Sequence, residues 1–545
     1  MFIPDADATI GRTFEACAQR FDRLPFLAVP ASPARAYHPT GHELSYAAAA
    51  GAVQDLMVRY AAAGYGLGHR VSLLLENRLE HLLHKLAMNA LGVCCVPLNG
   101  DHRPREMAHV LDHAKVDLVI VVDPLQPLLH AALAAATHRP AVVLLHDAAA
   151  WPHAAVPATS TTPAPDTPAS VLYTSGTTGR PKGCVLSHRY ELESGRWYAT
   201  AGGLATFHDG GDRIYNPLPL FHVNASIFSF YCAMLRGNCQ VQTDRFSPAR
   251  WWAEVSESRA TVVHYLGVVV PMLLGQPPGP ADRAHRVRFA IGAGVDPQRH
   301  AEFEQRFGFP LVEIWGMTEM VRAIVDSETP RQVGTRAFGR PRAGLDVRIV
   351  DDADHDLPDG TPGEMLVRES AATPRRDFFS GYLDDPGATE QAWRGGWFHT
   401  GDIVTRAPDG LLRFVDRRKN IIRRSGENIA AAEVEAVLQA HPLVEQAAVL
   451  AVPDEVREEE VLACVVLRAA GRADPAAAVQ ALFAHCNAEL AYYKAPGWLC
   501  LADSIPTTST QKIQKHRIFE PGVDPRQLPG MFDLRPLKRR GAAAG

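Results

Sequence analysis

The stretch from Arg70 to Gly100, "RVSLLLENRLEHLLHKLAMNALGVCCVPLNG", constrains the fold more than any other part of the chain. It opens on a short apolar run, continues with apolar residues at helical spacing, and closes on a second apolar run ended by Asn-Gly. That order predicts strand, helix, strand, a βαβ unit whose two strands lie parallel because the helix carries the chain back. "VDLVIVVD" and "AVVLLHD" repeat the strand pattern at intervals that leave room for helices, so the first part is expected to be α/β with a largely parallel sheet. A second α/β series shows its strand ends in "RATVVHYLG", "RVRFAIGAG" and "PLVEIWGMTE". All three end in Gly or small polar residues, and open parallel sheets bind ligands at the carboxyl ends of their strands.

From about Gly334 the texture changes to short strands and turns, which predicts a small β-rich subdomain. Beyond "RFVDRRKN" it changes again, to helix and strand patterns of a compact α+β unit. The expected architecture is therefore a large N-terminal domain over residues 1–415, built of two α/β subdomains and the β-rich one, and a small α+β C-terminal domain over 416–545. A chain of 545 residues is long enough to enclose a site. Its net charge of -5 gives no reason to expect a nucleic-acid partner. Nine cysteines without metal-ligand spacing read as reduced, mostly buried thiols. "MFIPDADATIGRTF" lacks a basic segment followed by a long apolar stretch, and no later run reaches the length of a membrane span, so a cytoplasmic enzyme is expected.

An Ala/Pro/Thr-rich linker, Ala154 to Ser170, leads into "YTSGTTGRPKG", Tyr173 to Gly183. Three glycines, four small hydroxyl residues and two cations lie within these eleven positions. Glycines let successive N–H groups converge, hydroxyls add donors, and Lys182 supplies a point charge, a combination suited to polyphosphate. It is not the common NTPase loop, in which Gly-Lys is followed at once by Ser or Thr. From these residues alone, a phosphate cradle and a plain Gly/Thr surface loop both stay open.

The company of other motifs decides. "YTSGTTGRPKG", "PLPLFHVNA" (Pro217 to Ala225), "WGMTE" (Trp315 to Glu319), "WFHTGD" (Trp397 to Asp402), "VDRRKNIIRRSGENI" (Val415 to Ile429) and "PTTSTQKIQK" (Pro506 to Lys515) stand in the order found in the adenylate-forming superfamily. The chain resembles its acyl-CoA synthetases, adenylation domains and luciferases over essentially its whole length. Its motifs look closest to those of the crotonobetaine/carnitine-CoA ligases and their fatty-acid relatives.

That resemblance implies roles for individual residues. Thr174, Ser175, Gly176, Thr177, Thr178, Gly179 and Lys182 would close over the β- and γ-phosphates of ATP. Gly292, Ala293, Gly294, Glu313, Ile314, Trp315 and Gly316 would border the nucleotide, with Thr318 donating to the α-phosphate. Glu319 would hold magnesium, a hard cation that prefers carboxylate oxygen; taken alone, Thr-Glu is more often a helix cap. Asp402 would accept from the ribose hydroxyls, where a lone Asp after Gly is otherwise a turn residue. Arg417 would contact ribose and phosphate and Lys419 would be the hinge, in a run that otherwise reads as solvated charge. Lys512, Thr178 and Glu319 are the implied catalytic groups, and Gln511 stands where a glycine often precedes that lysine.

The implied reaction is ATP-dependent acyl-CoA synthesis: a carboxylic acid becomes acyl-AMP with release of pyrophosphate, and coenzyme A then takes the acyl group. Between the steps the small domain would turn about Lys419, withdrawing Lys512 and bringing Ser425, Gly426 and Glu427 to line a thiol tunnel. Gly292, Ala293, Trp315, His222, Val223, Ile227, Leu266, Gly267 and Met317 would line the acyl pocket, His222 either gating it or packing there. The mostly apolar lining favours a medium-length aliphatic or small aromatic acid, while the resemblance pulls toward a trimethylammonium acid. Loading of a separate acyl carrier protein and a catalytically inactive nucleotide-binding protein are the alternatives. A homodimer is compatible with either, and no membrane partner is expected.

Overall fold

The computed structural model of the chain describes residues 1–147, 150–174, 181–267, 269–295, 297–351, 353–417, 421–506, 513, 515, 518–520 and 522–539. Four sheets carry the architecture of these residues. The first has seven strands, and its centre is the βαβ unit expected from the sequence: Arg70–Leu74, the helix Leu79–Ala90, then Cys94–Pro97, paired in parallel with Arg70 opposite Cys94. Leu118–Val121 and Ala141–Leu144 extend it in parallel on the other side. The helix Leu79–Ala90 buries almost every residue, which explains why its apolar pattern is so dense.

The second sheet has eight strands, with Val262–Leu266, Phe289–Ala293 and Leu311–Met317 side by side and parallel. The two α/β subdomains do not, however, follow one another cleanly along the chain. Pro25–Val29 and His42–Ser45 belong to the second sheet, and Gly381–Tyr382 returns to the edge of the first. Local periodicity identifies a strand but not the sheet it joins, so only the folded chain reveals this interlacing. A continuous core cluster joins the two sheets, including Leu73, Leu82, Leu172, Phe230 and Trp315.

The β-rich part is a five-stranded antiparallel sheet spanning Ala337–Gly339 to Leu412–Arg417. The next strand, Ile421–Arg424, already belongs to the fourth, six-stranded sheet, so the change of sheet falls between Arg417 and Ile421. That fourth sheet has its own core, built around Val434, Leu438, Val449, Val465, Leu482 and Phe483. All nine cysteines are free, and eight of them are buried, with Cys500 half-buried. No helix among the described residues is long and apolar enough to cross a membrane.

Candidate active site

The site gathers where the carboxyl ends of three parallel strands, Val262–Leu266, Phe289–Ala293 and Leu311–Met317, stop together. Their terminal glycines are required by close approach. A Cβ on Gly292 would lie 2.1 Å from the Tyr265 carbonyl oxygen, and one on Gly267 would lie 2.0 Å from that of Gly294. Glu313 ties these ends together: its carboxylate accepts from the Tyr265 hydroxyl and from the Gly294 and Val295 N–H groups at 3.0 and 3.2 Å. Burial pushes the Glu313 carboxyl above its ordinary range, against the pull of those three donors. Ile314 is buried beside it, while Gly316 is exposed and Ala293 and Met317 are half-buried.

Thr318 and Glu319 occupy the tight connection between Leu311–Met317 and the antiparallel strand Met320–Val325. They start no helix, so the cap reading does not apply. The Tyr190 hydroxyl donates to the Thr318 carbonyl at 2.7 Å, and the Phe379 N–H donates to that of Glu319 at 3.0 Å, fixing the turn from both sides. The Tyr382 hydroxyl donates to Glu319 Oε1 at 2.8 Å, and the Lys182 ammonium lies 4.7 Å from the centre of the Tyr382 ring. Lys182 reaches that place because Pro168–Thr174 and Lys182–Ser187 pair antiparallel, with Thr174 opposite Lys182. Tyr382 is a site residue that sequence reasoning missed; it lies in an edge strand whose only local signal is a Gly-Tyr pair.

Asp402 lies inside the strand Phe398–Arg406 and is nearly buried, so it is not a surface turn residue. The Trp315 indole N–H donates to Asp402 Oδ2 at 2.9 Å, giving Trp315 a polar function beyond packing. The turn before Asp402 is held by Glu364, whose Oε1 accepts the Gly401 N–H at 3.0 Å while Oε2 faces His399 Nδ1 at 3.2 Å. Arg417 stands directly opposite Asp402 in the neighbouring strand. Ser175, Gly176, Thr177, Thr178, Gly179, Lys419 and Lys512 lie outside the described residues.

The hairpin of Ile421–Arg424 and Glu427–Ala430 brings its tip onto this cleft. Ser425 and Gly426 both have left-handed φ values, 52° and 83°. A Cβ on Gly426 would lie 2.1 Å from Leu266 Cδ1, so the tip rests on the end of the strand Val262–Leu266. Glu427 Oε2 stands 3.7 Å from His222 Nε2 across the cleft, and His222 is part-exposed there instead of packed in the core. Burial alone would raise the Glu427 carboxyl, but His222, Lys494 and His102 together hold it below its ordinary range. Arg424 is buried against Glu460 at 2.7 Å, so this part of the basic run is not solvated charge.

Of the expected acyl-pocket residues, His222, Val223, Leu266 and Met317 are half-buried, and Leu266 and His222 meet the hairpin at Gly426 and Glu427. Gly267 is buried, with the Glu458 carboxylate placed 2.6 Å from where its Cβ would be. Ile227 is fully buried in the core of the large domain and offers no surface to a ligand. It lies in a π-helical stretch, Asn224–Phe228, of which Ala225, Ser226, Ile227 and Phe228 are all buried.

The AMP-binding enzyme family model matches residues 26–383, and that of the AMP-binding enzyme C-terminal domain matches residues 433–512. A sulfoacetate–CoA ligase of Cupriavidus necator is 31% identical over 525 residues, covering 95% of this chain and 98% of its own. A crotonobetaine/carnitine–CoA ligase of Salmonella agona is 29% identical over 496 residues, covering 87% and 93%. Among solved structures, an amide bond synthetase from Marinactinospora thermotolerans is similar at a TM-score of 0.78 and 27% identity, covering 94% of this chain and 99% of its own. With strand ends, an acidic turn and a C-terminal hairpin meeting in one cleft, and with these matches along its length, the chain belongs to the AMP-binding enzyme family.

Proposed function

We propose that this cleft serves two successive reactions on one carboxylic acid, with the small domain changing its orientation between them. The chain is an ATP-dependent acyl-CoA synthetase, an AMP-forming acid–thiol ligase. The observation that carries the two-step reading is that the Glu319–Tyr382–Lys182 group and the Ser425–Gly426 tip border the carboxyl ends of two strands of one sheet, Leu311–Met317 and Val262–Leu266. In the first step the acid's carboxylate attacks the α-phosphorus of ATP, the bond to the β-phosphate oxygen breaks, and pyrophosphate leaves. Lys182 opposes the phosphate charge, Thr318 and the strand-end glycines border the nucleotide, and Asp402, oriented by Trp315, receives the ribose hydroxyls. The acidic Glu319 turn fits a hard divalent cation, and magnesium carried with ATP would offset phosphate charge there.

In the second step the thiol of coenzyme A gives up its proton to solvent, its sulfur attacks the acyl carbonyl, and AMP leaves with the electron pair of the broken acyl–oxygen bond. The orientation described above suits this step, since the Gly426 tip rests on Leu266 and Glu427 faces His222. Lys512 belongs to the first step, beside the carboxylate and the α-phosphate. The boundary between the two moving units falls between Arg417 and Ile421, the interval that holds Lys419.

The half-buried Val223, Leu266 and Met317 favour an acid of medium length whose chain beyond the carboxylate is uncharged. His222 already faces Glu427, which leaves it poorly placed to meet a sulfonate such as that of sulfoacetate. The test is a panel of aliphatic, aromatic, sulfonated and trimethylammonium acids, scored by pyrophosphate release and then by the acceptor consumed. Thioester formation with free coenzyme A supports the reading; transfer only to amines, as the name of the amide bond synthetase suggests for that protein, or only to a carrier protein would overturn it.

A further inference from the structure

A second meeting of the two units, beside the one at the hairpin tip, lies between the start of the helix Pro104–Ala114 and the segment after the helix Pro475–Glu489, near enough to Glu427 for Lys494 to act on its carboxylate. Lys494 Nζ stands 2.8 Å from Glu106 Oε1 in the large unit and 2.8 Å from Glu433 Oε1 in its own. All three side chains are about nine-tenths buried. Around them Arg103 donates to Asn487 Oδ1 at 3.0 Å and Asn99 donates to the Tyr493 hydroxyl at 3.3 Å. Further out, Arg105 meets Glu489 at 2.6 Å, with Arg105 three-quarters exposed.

These contacts differ in what they contribute. The exposed Arg105–Glu489 pair is worth little. Removing one member of a buried ion pair is expensive, because the remaining charge is left without water or partner. Glu433 keeps Lys494 neutralised within the small unit wherever that unit goes, whereas Glu106 is met only when the unit sits as described here. Glu106 Oε2 also accepts the Arg103 N–H at 2.7 Å, so the carboxylate is already aimed by its own helix start.

We infer that Lys494 is a positioning residue which, by bridging Glu433 to Glu106, latches the small unit with its Gly426 tip in the cleft and so sets the share of molecules competent for thioester formation. This rests on the two-step reading above. The first variant is Glu106→Gln. Its amide oxygen can still accept from Arg103, which preserves the helix start, while Lys494 keeps Glu433. Thioester formation from supplied acyl-adenylate and coenzyme A is expected to fall at least tenfold, and pyrophosphate release in a single turnover to change less than threefold. Arg105→Ala should move neither rate more than twofold.

A readout independent of turnover comes from a donor and an acceptor fluorophore at exposed Val58 and Glu445. Glu106→Gln should shift the transfer efficiency away from the wild-type value, with an unchanged melting temperature for the large unit. An unchanged transfer efficiency overturns the latch, whatever the rates do. Equal loss of both half-reactions with a lowered melting temperature also overturns it, since that marks a folding role. If the wild-type protein releases no pyrophosphate with any acid, the two-step reading fails, and the fluorescence comparison still decides whether Lys494 holds the units together.

Discussion

Replacing Gly426 by alanine tests the seating of the hairpin tip most directly. The substitution has two separable costs. At a φ of 83°, alanine pays a backbone penalty of about 1–2 kcal/mol, which is felt wherever the small unit sits. The new Cβ would also lie 2.1 Å from Leu266 Cδ1, and this overlap exists only when the tip is in the cleft. Relieving it by moving Leu266 or lifting the tip costs roughly 1–3 kcal/mol, as for other overpacked contacts. Only the second cost biases the two steps, so thioester formation should slow by about 5- to 150-fold while adenylate formation stays near normal. Rapid-quench measurement of each half-reaction on one preparation gives both numbers. The same substitution in a Leu266→Ala background should lose the orientation-specific part, because Cδ1 is gone, and the coupling between the two sites then measures the contact. Thioester formation within twofold of wild type, or an equal penalty in both backgrounds, would refute the seating.

Glu319→Gln keeps size but removes charge, so adenylate formation should fall by the roughly 2–4 kcal/mol typical of one electrostatic element, with a shifted magnesium titration; a normal rate with unchanged metal dependence contradicts the assignment. Trp315→Phe deletes the indole donor to Asp402, and calorimetry should find ATP bound about 0.5–1.5 kcal/mol more weakly; unaltered affinity would mean that Asp402 is oriented by other groups. Lys538 is buried between Glu460 and the Tyr493 carbonyl, and burial lowers its pKa to about 7 despite the Glu460 carboxylate. An unfolded lysine holds its proton to near 10.4, so unfolding takes up a proton between about pH 7 and 10, and stability of the small unit should rise with pH across that window. Lys538→Met should flatten the rise in urea titrations at pH 7 and 9; an equally steep rise in the variant would place its origin elsewhere.

The motif-bearing segments and the parallel strand–helix alternation were legible from the chain alone, the alternation because it is local. A period of apolar residues identifies Arg70–Leu74 and Leu79–Ala90 without reference to anything distant, whereas the glycines, hydroxyls and lysine of the Thr174 to Lys182 stretch gained a reading only from the order of the other motifs along the chain. The partners of the motif residues were not legible. Glu319 receives its hydrogen bond from Tyr382, 63 positions on, Asp402 from Trp315, 87 positions back, and Lys494 meets Glu106 across 388 positions. Nor did any local pattern show that Ile227 turns into the core or that Pro25–Val29 belongs to the second sheet. Amino-acid order by itself determined the family that the motifs point to and how each segment is locally shaped. The order of strands in the sheets and the seat of the small unit decided which of those groups touch, because such contacts depend on how separate elements are stacked and no local periodicity records that.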